Sequence, residues 1–268
     1  MTTNNTPVRR DSVGNVLFGK KLATSEAPHQ TISKTIGLAV FASDALSSVA
    51  YATQEILIIL SVAGFAYFGL SIPISMVIIG LLIVLTISYR QTIYAYPGGG
   101  GAYIVSRDNL GDMPALTAAA ALLTDYILTV AVSISSGVAQ VTSAIPELYP
   151  WRVEIALALV ALITIVNLRG VKESGTIFAV PTYFFVVMML GMIAFGCWQQ
   201  TTNELGTVTA QAEVFKETTQ TLTLFLILKA FASGCTALTG VEAISNGIMA
   251  FKAPKSRNAA QTLMVMSG

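Results

Sequence analysis

The sequence predicts an all-α polytopic membrane protein, on three observations: its composition, its charge-free runs and the lack of strand-like alternation. Hydrophobic residues make up 54% of the 268, charged residues only 11%, and mean hydropathy is +0.70. A soluble domain carries about a quarter charged residues, so this chain is too apolar to face water all round. No charge falls within 56–89, 126–146 or 176–203, and a helix needs roughly 20 such residues to cross hydrocarbon. A β-barrel would instead show strands of about 10 residues with alternating polarity, and no such pattern is present. The environment this composition demands is a lipid bilayer.

The elements can be placed in order. After a polar tail over 1–31, apolar segments are expected at 32–60, 68–88, 115–145, 153–168, 175–198 and 221–251. The fourth is short, with only 155–168 free of charge, so Trp151 and Arg152 mark its membrane interface. A seventh segment starts near Ala259 and reaches Gly268 after one or two turns, so a fragment of a longer protein is expected. The expected organisation is a tail at 1–31, a first repeat at 32–198, and an incomplete second repeat at 199–268. Residues 1–30 hold no apolar core of the kind a cleavable signal has.

Basic residues orient the chain. With the N-terminus inside, one side holds Arg9, Arg10, Lys20, Lys21, Lys34, Arg90, Arg107, Arg169, Lys172, Lys252, Lys255 and Arg257, which is 12 of the 15. Arg152 and Lys216 fall outside, and Lys229 falls within the sixth segment. A multi-pass protein of the cell membrane with a cytoplasmic N-terminus is expected.

Several function classes drop out at this stage. A net charge of +1 offers no argument for nucleic acid. The one histidine, His29, lies in the tail, so no His-based triad can be assembled and no enzyme is expected. Two cysteines, Cys197 and Cys235, are too few for a zinc cluster or a disulfide framework and read as small packing groups. No cofactor is called for. The run Pro97-Gly98-Gly99-Gly100-Gly101 lacks the lysine and hydroxyl ending of a phosphate loop. It reads as a flexible turn that lets the chain approach a neighbouring helix.

The functional signal is polar chemistry inside apolar segments, where charge is expensive and marks a pathway or a partner. In the first segment, Asp44, Ser48, Tyr51 and Glu55 share one helical face. Ser43, Ser47 and Ser48 compete for backbone hydrogen bonds, so a local unwinding that frees carbonyl oxygens is expected there. In the third segment, Asp125, Thr129 and Ser133 form a stripe extended by Ser136 and Gln140. A carboxylate with hydroxyls one and two turns along suits a small cation, or a proton relay. Interhelical hydrogen bonding accounts for the hydroxyls alone but not for Asp125. The sixth segment carries Ser233-Gly234-Cys235-Thr236-Ala237-Leu238-Thr239-Gly240, a sequence for a broken helix facing a cavity. Interruptions in segments one and six point to an inverted-repeat transporter whose site lies between half-helices.

These residues also carry a resemblance. Pro97-Gly-Gly-Gly-Gly-Ala-Tyr103 and Thr239-Gly-Val-Glu-Ala-Ile-Ser-Asn246 resemble the amino acid–polyamine–organocation superfamily. Within it, Ser43-Asp-Ala-Leu-Ser-Ser-Val-Ala-Tyr51 and Asp125-Tyr126 are similar to the KimA-type potassium importers. The resemblance runs from about Thr31 to the C-terminus. It implies a five-plus-five, LeuT-like fold, a homodimer and proton-coupled potassium uptake. It also places Asp44, Tyr51, Asp125, Tyr126, Thr129 and Ser133 on ion-site and coupling positions. Thr239 matches the family's site threonine, with Thr236 as a second candidate; potassium itself would sit at Asp125, Thr129, Ser133 and Thr239. The family's later helices and its cytosolic domain, which binds cyclic di-AMP, have no counterpart in this stretch.

The expected function is therefore secondary active import of potassium with protons; either Asp44 or Asp125 could carry the proton, with Asp44 favoured. The alternative on the same scaffold is an amino acid or polyamine permease. An amino acid carboxylate needs free N–H groups at half-helix ends, whereas the first break here offers Asp44 among alanines and serines. A third class, a membrane assembly or receptor subunit without transport, has no use for buried aspartates on separate stripes.

Overall fold

The computed structural model describes residues 31–168, 170–202 and 221–268. Arg9, Arg10, Lys20, Lys21 and His29 of the expected tail, together with Arg169 and Lys216, lie outside the described residues, as does the side chain of Lys172. Among the described residues every element is helical, apart from one isolated bridge between Ile32 and Phe251.

The first helix, α1 (Lys34–Ser61), starts where Ser33 caps it by accepting the Ile36 N–H at 3.4 Å. At 28 residues it is about 42 Å long, enough to cross a bilayer. The expected unwinding at its serines is absent. Ser43 and Ser47 instead donate to the carbonyls of Val40 and Asp44, each at 2.8 Å, and the helix runs on unbroken. A hydroxyl can add a bond to a carbonyl that the helix already uses, so competition for the backbone need not open the turn.

A short 3₁₀ turn, Phe65–Leu70, leads into α2 (Ser71–Ala95). The glycine run comes next, and then an unexpected helix, α3 (Gly101–Leu110). Helix α4 (Asp112–Ala144), α5 (Arg152–Leu168) and α6 (Val171–Thr202) complete the part before the second undescribed stretch. The sixth segment is broken as its glycines predict. Thr223 caps α7 (Leu224–Gly234) by accepting the Leu226 N–H at 3.2 Å. A 3₁₀ turn Cys235–Leu238 follows, then an extended Thr239 and a left-handed Gly240, before the single turn α8 (Ala243–Asn246). The last helix is α9 (Lys255–Ser267).

Among the described residues, six segments are long and apolar enough to cross a membrane. Their outer faces agree with that role. Helix α5 has no buried residue, and Leu157 and Leu162 are more than half exposed, as expected for a helix that is apolar all round and meets lipid. Cys197 is exposed on α6, while Cys235 packs beside Ile56, Leu60 and Ala230. The packing role expected of both cysteines therefore holds only for Cys235.

Helix α1 is the hub, packing on α2, α4, α6, α7 and α9. Its entry is pinned by main-chain bonds from Ile32 N–H to Ala250 C=O (2.8 Å) and from Lys252 N–H to Ile32 C=O (3.1 Å). Phe251 is fully buried and stacks on Phe41 at 5.4 Å, within a cluster that includes Ile93, Ile244, Ile248 and Leu263. This anchor sets the broken sixth segment against the polar face of α1.

Candidate functional site

The polar side chains of α1 meet those of two neighbours. On the α4 side, Ser47 Oγ lies 3.2 Å from Ser133 Oγ, and Gln140 Nε2 donates to Gln54 Oε1 at 3.0 Å. The stripe expected from four-residue spacing on α4 therefore faces α1. Thr129, on the same stripe, is half-buried and has no hydrogen-bond partner among the described residues. Ser43, Ser47, Tyr51, Ser133 and Gln140 border a cavity of about 550 Å³ that extends toward α6.

On the sixth-segment side, the Thr239 hydroxyl donates to Ser48 Oγ at 2.7 Å. Ser48 Oγ is 3.2 Å from the Tyr51 hydroxyl, which Thr236 Oγ1 approaches at 3.5 Å. Ser48 and Tyr51 are buried, so this hydroxyl chain is shielded from solvent. Both candidate threonines join it. Thr239 and Ser133 thus meet α1 at Ser48 and Ser47, the two positions one turn beyond Asp44.

Asp44 itself lies where the broken segment crosses α1 at backbone distance. Gly240 has φ +82°, and a Cβ there would stand 2.7 Å from the Ala45 nitrogen and 3.0 Å from a carboxylate oxygen of Asp44. Only glycine allows that crossing.

Just past the break comes Glu242, which the sequence reading did not select. Tyr89 of α2 donates to its Oε2 at 3.1 Å, while its Oε1 is buried without a hydrogen-bond partner. Asp44, Asp125 and Tyr126 all lie close enough to interact electrostatically with Glu242, and Asp44 interacts likewise with Asp125. The Tyr126 hydroxyl accepts from Asn246 Nδ2 at 2.6 Å. Three carboxylates from α1, α4 and the broken segment therefore lie within electrostatic range of one another. None of them makes an ion pair with a basic side chain among the described residues. Nor do three His, Cys, Asp or Glu residues close tightly enough among the described residues to hold a metal ion as a cluster.

Glu242 carries a visible signal in the sequence, as a charge inside an apolar segment. Ser48 lay on the face already identified. Tyr89 and Asn246 carried none, because their partners are 153 and 120 residues away in sequence.

The glycine run holds Asn246 in place. Gly99 and Gly101 are left-handed; a Cβ on Gly99 would lie 2.8 Å from the Asn246 carbonyl, and one on Gly101 would strike the Asn246 and Ser245 side chains. Gly98 has open space around it. Gly101→Ala is accordingly expected to cost about 2 kcal/mol or more through left-handed strain and overpacking, whereas Gly98→Ala is expected to cost nothing measurable. Thermal melting of the two variants of the full-length protein checks this, and equal melting temperatures would refute the contact.

Bilayer-length helices packed around a broken segment, with acids and hydroxyls at the break, are the architecture of a membrane permease. Residues 31–268 match the amino acid permease family, and the chain belongs to it. Over 255 residues, 95% of this chain, it is 53% identical to the potassium transporter KimA of Bacillus subtilis (strain 168). The chain spans 42% of the length of that relative.

Proposed function

We propose that this chain forms part of a secondary transporter that imports potassium together with protons across the cell membrane, with its N-terminus in the cytoplasm. The observation that carries the proposal is that Asp44, Asp125 and Glu242 lie within electrostatic range of one another without a basic partner among the described residues. Keeping several carboxylates ionised and unpaired within a membrane bundle is costly. A passing cation relieves that cost at one of them and a proton at another, which couples the two species. Asp125 stays charged to neutralise the ion; Thr129, Ser133, Thr239 and exposed backbone oxygens replace its water. The proton resides on Asp44 or on Glu242, whose unpartnered Oε1 offers a further seat for it.

The relative's potassium transport supports potassium as the passenger, and the acidic lining supports a cation over an amino acid zwitterion. A homodimer is the expected assembly, and any response to cyclic di-AMP would need a domain outside this stretch.

The test is rubidium uptake by the full-length protein in cells lacking their own potassium importers. Potassium should compete; competition by amino acids but not by potassium would defeat the proposal. With proton coupling, collapsing the proton gradient with a protonophore at a clamped membrane potential is expected to reduce uptake at least tenfold. Uptake that ignores both the protonophore and external pH would remove the coupling while leaving the substrate intact.

A further inference from the structure

A second cavity, of about 620 Å³, lies between the start of α1, the end of α2, the middle of α6 and one side of α9 along its length. Its volume is within the roughly 300–1,000 Å³ of small-molecule sites. Three cationic side chains border it: Lys34 at the first position of α1, Arg90 in the last two turns of α2, and Arg257 in the first turn of α9. No carboxylate lines it. Lys34 donates to Gln261 Oε1 at 3.0 Å, and none of the three cations makes an ion pair with a described carboxylate.

The rest of the lining mixes hydroxyl and amide groups with apolar side chains. Leu38, Met264 and Val265 border the same cavity; Met264 is 48% and Val265 65% exposed, on helices that pack against membrane-spanning ones. Part of the wall is therefore cationic and lies at helix ends, and part is apolar. Clustered like charges repel unless an anion lies among them, and an apolar wall beside them favours an anion that carries a hydrocarbon chain.

We propose that this cavity binds the phosphate-bearing headgroup of an anionic phospholipid, with its acyl chain lying along Leu38, Met264 and Val265. The lipid clamps α9 to the entry of α1, the helix on which the acidic site is built. Basic residues near a membrane surface each contribute about 1 kcal/mol toward anionic lipid, so three together give about a hundredfold preference.

The experiment uses the delipidated full-length protein, mixed with equal amounts of dioleoyl-phosphatidylglycerol and dioleoyl-phosphatidylcholine and analysed by native mass spectrometry. Phosphatidylglycerol is expected to be retained about a hundredfold better. Lys34→Gln, Arg90→Gln and Arg257→Gln combined should abolish that preference, and Lys34→Arg, Arg90→Lys and Arg257→Lys combined should keep it. Equal retention of the two lipids, or retention by the glutamine variant equal to that of the wild type, overturns the proposal. So does an equal loss in the charge-conserving variant, which would mark the effect as structural. In a parallel arm, millimolar inorganic phosphate should not displace the bound lipid; displacement would assign the site to free phosphate instead.

Discussion

Rubidium uptake by the full-length protein is expected to fall about a thousandfold when Asp125 is changed to asparagine, while expression and melting temperature stay close to wild type. The size follows from electrostatics. A unit charge about 4 Å from a cation contributes about 4 kcal/mol at an effective dielectric near 20, and each 1.4 kcal/mol is a factor of ten. Asparagine keeps the shape and an oxygen donor but removes the charge. Asp125 is the right position for this test because its neighbours on the stripe reach α1 through Ser133 and Gln140, so its helix is positioned without it. It also makes no ion pair among the described residues whose loss would unfold the bundle. Asp125→Glu, which restores the charge one methylene away, should recover part of the rate. Uptake by Asp125→Asn within threefold of wild type would rule out this carboxylate as the ion's counter-charge.

The second large effect is structural. Gly240→Ala is expected to destabilise the protein by about 2–5 kcal/mol, combining left-handed backbone strain with overpacking, and to abolish uptake. Its new methyl would meet the main-chain nitrogen of Ala45 and the carboxylate of Asp44. Because the nearest atom is backbone, trimming a side chain offers no relief, and Ala45→Gly in the same molecule should leave the loss unchanged. Differential scanning fluorimetry of the single and double variants, beside rubidium uptake, reads both consequences. Wild-type melting and uptake in Gly240→Ala would refute the close crossing of the broken segment over α1.

Parts of the site were visible as chemistry before any fold was known. Asp44 and Asp125 stand out because charge in an apolar run has no cheap explanation, and the Asp125–Thr129–Ser133 spacing places three oxygen donors on one face of any helix that contains them. The break at Ser233–Gly240 was visible for a similar local reason, since glycines flanking threonines weaken a helix wherever it sits. The first-segment serines misled, because the same hydroxyl that competes for a carbonyl can also donate to it within an intact turn. Helix α3 was not legible because a glycine run marks a turn without fixing the conformation of the residues beyond it.

By itself, the sequence determined that the chain is a helical membrane protein, where its apolar spans fall, and which acids stand in them, because these depend on solvation and on spacing within a turn. Only the tertiary structure decided that Glu242 comes within electrostatic range of Asp44 and Asp125, that Tyr89 bonds Glu242 and Asn246 bonds Tyr126, and that Lys34, Arg90 and Arg257 share a cavity. Those meetings are between residues far apart along the chain. They depend on how closely the backbones cross, which is set at Gly240 and at the glycine turn rather than by the polarity of any one segment.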